Sequence, residues 1–153
     1  MKKIILAVIV AAFFTLNTHA QTSKEVTLKV KTAFAQKFPT ATKAKWDREN
    51  EKEWEVEFKM EGRSYSANYD NEGNWMETEY AITNAEIPAA VQSSLDKDFA
   101  GYRINASEIS ETVDGKVYEF ILKKTGEKIE VAFDINGKLK SKEDVTKENE
   151  EEK

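Results

Sequence analysis

The sequence predicts an α+β fold class, a tandem repeat of two units in which one helix packs on a four-stranded antiparallel sheet. Turn residues recur after 64 positions: Gly62, Asp70 and Gly73 correspond to Gly126, Asp134 and Gly137. Alternating apolar residues recur at the same distance: Trp54, Val56 and Phe58 correspond to Tyr118, Phe120 and Leu122. An apolar stripe recurs after 61 positions: Val30, Phe34 and Phe38 correspond to Val91, Leu95 and Phe99. The second copy therefore carries a three-residue insertion.

Residues 1–20 have the pattern of a secretory signal peptide. Lys2 and Lys3 precede an apolar run that extends to Leu16, and the segment ends in the small-x-small triplet that closes at Ala20. A membrane anchor would need about 20 apolar residues, and this run is too short. No cysteine follows it, which excludes a lipoprotein anchor at this site. We expect cleavage near Ala20 and a periplasmic or secreted bacterial protein without a stable membrane anchor.

The first unit is predicted over residues 21–82. A capping box at residues 22–25 precedes the apolar stripe of a helix that ends at Pro39. Four strands are predicted at residues 42–47, 53–60, 63–69 and 74–80. The second strand alternates strictly between charged and apolar residues, which is typical of a strand with one buried and one solvated face. A hairpin loop follows at residues 70–73, where Gly73 suits a positive φ angle.

The second unit is predicted over residues 83–141 with the same order of elements. Pro88 is suited to the first turn of its helix. Strands are predicted at residues 104–113, 116–123 and 128–133, and a last strand begins at Lys138. Residues 142–153 contain a single aliphatic residue among many charges, so we expect a charged, disordered tail there.

The composition excludes several kinds of chemistry. His19 is the only histidine and leaves with the signal peptide, and the chain has no cysteine. Ser-His-Asp and Cys-His catalysis are therefore closed to the mature chain, as are the usual nitrogen and sulfur zinc sites. The formal net charge is −5 and no basic stripe is present, which argues against nucleic acid. We predict no catalytic residue, no cofactor and no bound metal.

One face of each predicted sheet lies opposite its helix, and its residues are mostly polar. In the first copy they are Glu55, Glu57, Ser64, Ser66 and Asn68, and in the second they are Glu119, Ile121, Lys128, Glu130 and Ala132. Two interpretations stay open: a solvated sheet back, which is common for antiparallel sheets, or an extended platform for a protein partner. Glu77 and Glu79 share a strand face, but with 28 acidic residues such pairs arise by chance.

Three residues are predicted as a candidate interaction surface. Met76 and Tyr80 have the opposite parity to Trp75 along their strand, and Tyr102 follows the second helix. Trp54 and Trp75 are predicted to be core residues, since their positions correspond to Tyr118 and Leu139. Exposed tyrosine and methionine are favoured at protein interfaces.

Several short motifs together resemble the PepSY-like proteins of bacterial envelopes, also described as beta-lactamase-inhibitor-like. These motifs are Phe38-Pro39, Ala44-Lys45-Trp46, Tyr69-Asp70-x-x-Gly73-x-Trp75-x-Glu77-Thr78-Glu79, Ile87-Pro88-x-x-Val91, Gly101-Tyr102-x-Ile104 and Tyr118-Glu119. The resemblance implies tandem modules of a helix and an antiparallel sheet, no known catalysis, and an inhibitory or protein-binding role. It supplies no catalytic residues.

The function predicted from the sequence is that of an exported, non-catalytic module that binds a protein or peptide in the periplasm and restrains it if it is an enzyme. The alternative is a periplasmic carrier of a small ligand or envelope component. A binding module predicts an exposed apolar or aromatic patch on one side of the molecule. A carrier predicts a closed, apolar cavity between the two units.

Overall fold

The computed structural model describes residues 25–146, which form eight strands and two α-helices. In chain order the elements are α1 (Leu28–Lys37), β1 (Thr42–Arg48), β2 (Glu53–Met60), β3 (Arg63–Asp70), β4 (Trp75–Ala81), a 3₁₀ turn (Asn84–Glu86), α2 (Ala89–Asp98), β5 (Arg103–Thr112), β6 (Gly115–Lys124), β7 (Glu127–Phe133) and β8 (Leu139–Asp144). The predicted signal peptide lies outside the described residues, as does the predicted tail beyond Thr146.

All eight strands belong to one antiparallel sheet, in the order β1 to β8. The strands β4 and β5 pair directly, from Glu77 opposite Thr112 to Ala81 opposite Glu108. The predicted fold class, a tandem repeat of two helix-plus-four-strand units, is therefore wrong: one continuous sheet carries both helices. An unpaired strand edge exposes a row of backbone hydrogen-bonding groups, and pairing β4 with β5 satisfies two such edges at once.

The helix α1 covers the β1–β4 half of the sheet. It begins after Thr27, whose side chain accepts a hydrogen bond from the Val30 amide, so its start lies later than the capping box predicted at residues 22–25. The buried Phe34 ring lies 5.1 Å from the Phe58 ring in an edge-on arrangement. Trp54 is also buried in this core, as predicted.

The helix α2 covers the β5–β8 half of the sheet through Val91, Leu95 and Phe99. The loop between β7 and β8 approaches this helix closely at Gly137, whose φ angle is +77°. The Ser94 hydroxyl donates a hydrogen bond of 2.7 Å to the Gly137 carbonyl oxygen. A Cβ atom at this glycine would collide with the backbone of Ala90, so glycine is required here.

The strand β8 extends beyond the predicted start of the tail. Lys142 and Asp144 belong to β8, and Val145 is buried with its amide donating to the Lys128 carbonyl oxygen. The expectation of a disordered tail from residue 142 is therefore wrong for residues 142–145. The single aliphatic side chain of this segment, Val145, is buried, and its packing is enough to hold the end of the strand in place.

Candidate functional site

The two faces of the sheet differ in what covers them. Both helices pack on one face, which we call the covered face. The other, the uncovered face, has neither described helix on it and is lined mainly by polar side chains. Across β2 to β7 it carries Glu55, Glu57, Lys59, Ser64, Ser66, Asn68, Glu77, Glu79, Glu108, Ser110, Glu119, Ile121, Lys123, Lys128, Glu130 and Ala132.

Part of the uncovered face is buried. Ser110, Glu130 and Glu79 are only 1%, 4% and 6% exposed. Since no described helix lies on these residues, the neighbouring side chains and strands must enclose them. Buried polar and charged side chains on a sheet face are unusual, which makes this part of the uncovered face the candidate site.

Two serines on this face donate hydrogen bonds to glutamates. The Ser66 hydroxyl donates to Glu55 at 2.6 Å, and the Ser110 hydroxyl donates to Glu77. These serines are also the residues directly opposite Glu79 on β3 and β5. Because both hydroxyls are directed to other carboxylates, neither serves Glu79. Glu79 is not a partner in the side-chain hydrogen bonds seen within residues 25–146, but its carboxyl group is not sealed from solvent, because the fully buried polar atoms without a partner in this range are Tyr69 Oη and Ser141 Oγ.

Burial and neighbouring carboxylates raise the pKa values of four glutamates on this face. The pKa of Glu79 rises to about 9, mainly because it is buried and further because Glu77 and Glu119 lie nearby. The pKa of Glu119 rises to about 8, first through burial and then through Glu130. Burial also raises the pKa values of Glu77 and Glu108. At neutral pH Glu79 and Glu119 are therefore largely protonated.

The strands β5 and β6 place two of these acids directly opposite each other. Glu108 faces Glu119 across the antiparallel pair. Two like charges in this position repel each other, and the repulsion favours a shared proton or a bound cation. No group of acidic, histidine or cysteine side chains within residues 25–146 is arranged to hold a metal ion. The chemistry of the site is that of carboxyl groups of which two hold a proton at neutral pH, so that they can both donate and accept hydrogen bonds.

An open cavity of about 380 Å³ lies beside these glutamates. Glu57, Glu79 and Glu108 contribute to its lining on the acidic side. Lys43, Lys45 and Lys59 line its other end, towards the edge strand β1. The cavity therefore has an acidic end in the middle of the sheet and a basic end at its margin.

The predicted interaction residues are not brought together as one patch. Met76 is 38% exposed, and it is the extra residue of a bulge at which Tyr69 pairs with Trp75 and Asn68 with Glu77. This bulge shifts the alternation of β4, so Tyr80 lies on the covered face with Trp75, and the predicted opposite parity of Tyr80 is wrong. A β-bulge cannot be read from alternation alone, because it adds one residue to one strand only.

Tyr80 and Tyr102 are both half-buried against the core under α2. The Tyr80 ring lies 5.1 Å from the Tyr65 ring, and the Arg63 guanidinium lies 5.3 Å from its centre. The Tyr102 ring lies 6.2 Å from Phe99. Both tyrosines are thus partly used in packing, and their role in binding stays a prediction, as does that of Met76.

The sequence did not single out the buried glutamates as a group. Glu77 and Glu79 were visible as a pair, but their burial depends on β5 lying beside β4. Glutamates occupy the uncovered face of three successive strands, β4, β5 and β6, and this pattern could have identified the buried glutamates. That signal becomes visible only when the strand order is known.

Comparison with known proteins identifies the class to which this fold belongs. Residues 52–141 match the sequence model of the family described as "Putative beta-lactamase-inhibitor-like, PepSY-like". The chain therefore belongs to the PepSY-like family, and the resemblance predicted from its motifs is confirmed. A search of curated proteins gave no match.

Solved structures from three Bacteroides species share the fold. A BLIP-like protein from Bacteroides fragilis is 21% identical, with a TM-score of 0.72 over 78% of this chain and 86% of that chain. A DUF2874 family protein from Bacteroides uniformis is 18% identical, with a TM-score of 0.73 over 78% and 90%. A protein from Bacteroides eggerthii described as "putative periplasmic" is 17% identical, with a TM-score of 0.73 over 79% and 90%.

Neither α-helix within residues 25–146 has the length and apolar character needed to cross a membrane. Each consists of ten residues with one buried stripe.

Proposed function

We propose that this chain is an exported, non-catalytic module that binds a segment of another protein on the uncovered face of its sheet. The observation that carries the proposal is the asymmetry of the sheet: two helices fill one face, and the other carries buried polar groups beside an open cavity. Membership of a family described as inhibitor-like supports a binding role. The predicted signal peptide and the description of the Bacteroides eggerthii neighbour support export to the periplasm.

The geometry favours a protein segment over a small ligand. The cavity is open and is lined by the aromatic residues Phe58, Tyr65 and Tyr80 as well as by acidic and basic side chains, whereas a carrier of a small ligand needs an enclosed pocket. Sheet faces eight strands wide offer an area on the scale of protein–protein interfaces, about 800 Å² for each partner. If the bound partner is an enzyme, this binding can inhibit it.

Site-specific photocrosslinking tests the proposal. A benzophenone amino acid is placed at Glu57 or Asn68 on the uncovered face, and at Gln36 on α1 as a matched control on the opposite side. We expect one discrete crosslinked protein from the first two positions in cells that export the full chain, and none from Gln36. Crosslinking from Gln36 alone, or none at all from the uncovered face, would overturn the proposal.

A further inference from the structure

We propose that the glutamates around Glu79 form a receptor site for one cationic side chain, a lysine or arginine, of the bound protein segment. The proposal rests on the proposed function of the uncovered face and names the chemistry that this face recognises. Its centre is Glu79, and its wall consists of Glu77, Glu108 and Glu119.

The first observation is that Glu79 is buried without a partner. Its side chain is 94% removed from solvent, since the residue is only 6% exposed. Its two nearest cross-strand neighbours, Ser66 and Ser110, donate their hydroxyl hydrogens to other carboxylates. Its carboxyl group reaches the open cavity, since Glu79 is not among the residues within 25–146 whose polar side-chain atoms are fully buried without a partner. A donor that enters the cavity can therefore contact it.

The second observation is the charge of every group that faces Glu79. Glu77 shares its strand, Glu55 lies on β2, Glu108 on β5 and Glu119 on β6, and all four raise its pKa. The lysines that line the cavity, Lys43, Lys45 and Lys59, lie on β1 and β2, beyond the acidic end. Lys45 is directly opposite Glu57 in the β1–β2 pair. None of the ion pairs found within residues 25–146 joins one of these lysines to Glu79.

The third observation is that the space fits a side chain better than an ion. No set of acids within residues 25–146 converges as metal ligands do. The cavity of about 380 Å³ opens next to Glu79 and Glu108, which leaves room for a long side chain to enter from a bound segment. A guanidinium group offers five N–H donors in one plane and can serve two carboxylates at once.

Binding of a cation at this site is coupled to proton release. Glu79 and Glu119, with pKa values of about 9 and about 8, hold their protons at neutral pH. A guanidinium binds best when they are ionised, so binding must displace at least one proton. The affinity for a cation should therefore rise with pH up to about 9, where Glu79 is half ionised, by up to about tenfold per pH unit for each proton released.

The test uses the mature chain and two matched probes, Nα-acetyl-arginine amide and Nα-acetyl-citrulline amide, which have the same shape but differ in charge. Titrations are followed by NMR of the glutamate side-chain carboxyl carbons at pH 6 and pH 8. We expect the arginine probe to bind with a Kd on the order of 1 mM at pH 8 and more weakly at pH 6. It should move the Glu79 and Glu119 signals, whereas the citrulline probe should not.

Two variants separate a specific site from the general negative charge of the chain. Glu79→Gln should weaken binding of the arginine probe at least about tenfold, the loss expected for one charge-assisted contact. Glu51→Gln removes the same charge from an exposed loop position and should leave the Kd unchanged. Thermal unfolding of both variants shows that they are folded.

Equal binding of both probes, or an equal loss in both variants, would overturn the receptor site. Binding that tightens with Ca²⁺ alone but not with arginine would do the same. These outcomes are distinct from failure of the proposed function. If the uncovered face crosslinks to a protein but does not bind the arginine probe, the proposed binding function stands and only the proposed receptor site for a cationic side chain is wrong.

Discussion

Both faces of the sheet contain nearly inaccessible side chains, many on the covered face and a few on the uncovered face, and the energetic consequences are opposite. On the covered face Val56, Phe120 and Val131 are almost fully buried among apolar neighbours, which is favourable by about 25 cal/mol per Å². On the uncovered face Glu79 and Glu130 are nearly as inaccessible, but burial of a carboxyl group opposes folding. Burial alone therefore does not identify the residues that stabilise the protein. The covered face stabilises the fold, whereas the buried carboxyl groups of the uncovered face oppose it.

The largest effect is expected from truncation on the covered face. Phe120→Ala removes a ring that packs edge-on against Phe133 at 6.0 Å, and should lower the free energy of unfolding by about 3–5 kcal/mol. The matched control is Ile121→Ala, the next residue, which lies half-buried on the uncovered face and should have less than half this effect. Denaturant unfolding of both variants measures the difference. If both variants lose the same free energy of unfolding, the two faces contribute equally to stability, and the contrast drawn between them is wrong.

A second prediction compares the two places where a hairpin loop touches a helix on the covered side. Gly137→Ala introduces a Cβ that collides with the Ala90 backbone, whereas at Gly73 the nearest atom, the Lys29 carbonyl oxygen, is 3.2 Å away. Both glycines have φ of +77°, so both substitutions carry the same backbone strain of about 1–3 kcal/mol. The collision should make Gly137→Ala the more destabilising by about 1–2 kcal/mol in chemical denaturation. If Gly73→Ala is equally harmful, the close approach at α2 is not the cause.

The third prediction is a pH dependence that arises from the uncovered face. An unfolded glutamate loses its proton near pH 4.5, whereas folded Glu79 keeps its proton until about pH 9. Between these values the folded chain binds more protons than the unfolded chain, so the free energy of unfolding falls as pH rises. The slope for one such group is at most about 1.4 kcal/mol per pH unit.

Glu79→Gln removes this titration while keeping the shape of the protonated side chain. The variant should be as stable as the wild type at pH 5 and more stable by about 1–3 kcal/mol at pH 8.5. Thermal unfolding across this range, with Glu51→Gln as the exposed control, measures the effect. A wild-type stability that is flat or rises over this range would contradict the buried, protonated state of Glu79.

The smallest effect is expected from a surface ion pair. Lys29 on α1 and Glu72 in the β3–β4 loop form a contact of 2.6 Å, but both side chains are more than half exposed. Lys29→Met should change the free energy of unfolding by less than about 1 kcal/mol. A loss as large as that of Gly137→Ala would show that the α1 half depends on this contact rather than on its aromatic core.

Local patterns predicted the elements well. The alternation at residues 53–60 coincides with β2, and the stripes of Val30 and Val91 lie on α1 and α2. Both hairpin turns with Asp-x-x-Gly join consecutive strands, with the Asp70 and Asp134 carboxylates accepting backbone hydrogen bonds within the turns. These features depend on residues close in sequence, and short-range periodicity carries that information.

Features that depend on distant residues could not be predicted. The pairing of β4 with β5 joins strands separated by α2, and nothing in the alternation of either strand indicates it. The bulge at Met76 moved Tyr80 to the covered face, since one added residue inverts the parity of those that follow. The burial of Glu79 follows from both features together. The candidate site therefore emerged from topology, whereas the predicted residues Met76, Tyr80 and Tyr102 were chosen by residue type.

The strand order of the sheet has a consequence for how the chain folds. Because β1 to β8 follow one another in space as in sequence, every ladder joins consecutive strands and the loops between them are short, except for the connection through α2. Closing a short loop loses little chain entropy, and a topology of local contacts folds faster than one of distant contacts. Each neighbouring pair of strands can thus form across a short loop, and the joining of β4 to β5 is the step with the longest loop to close.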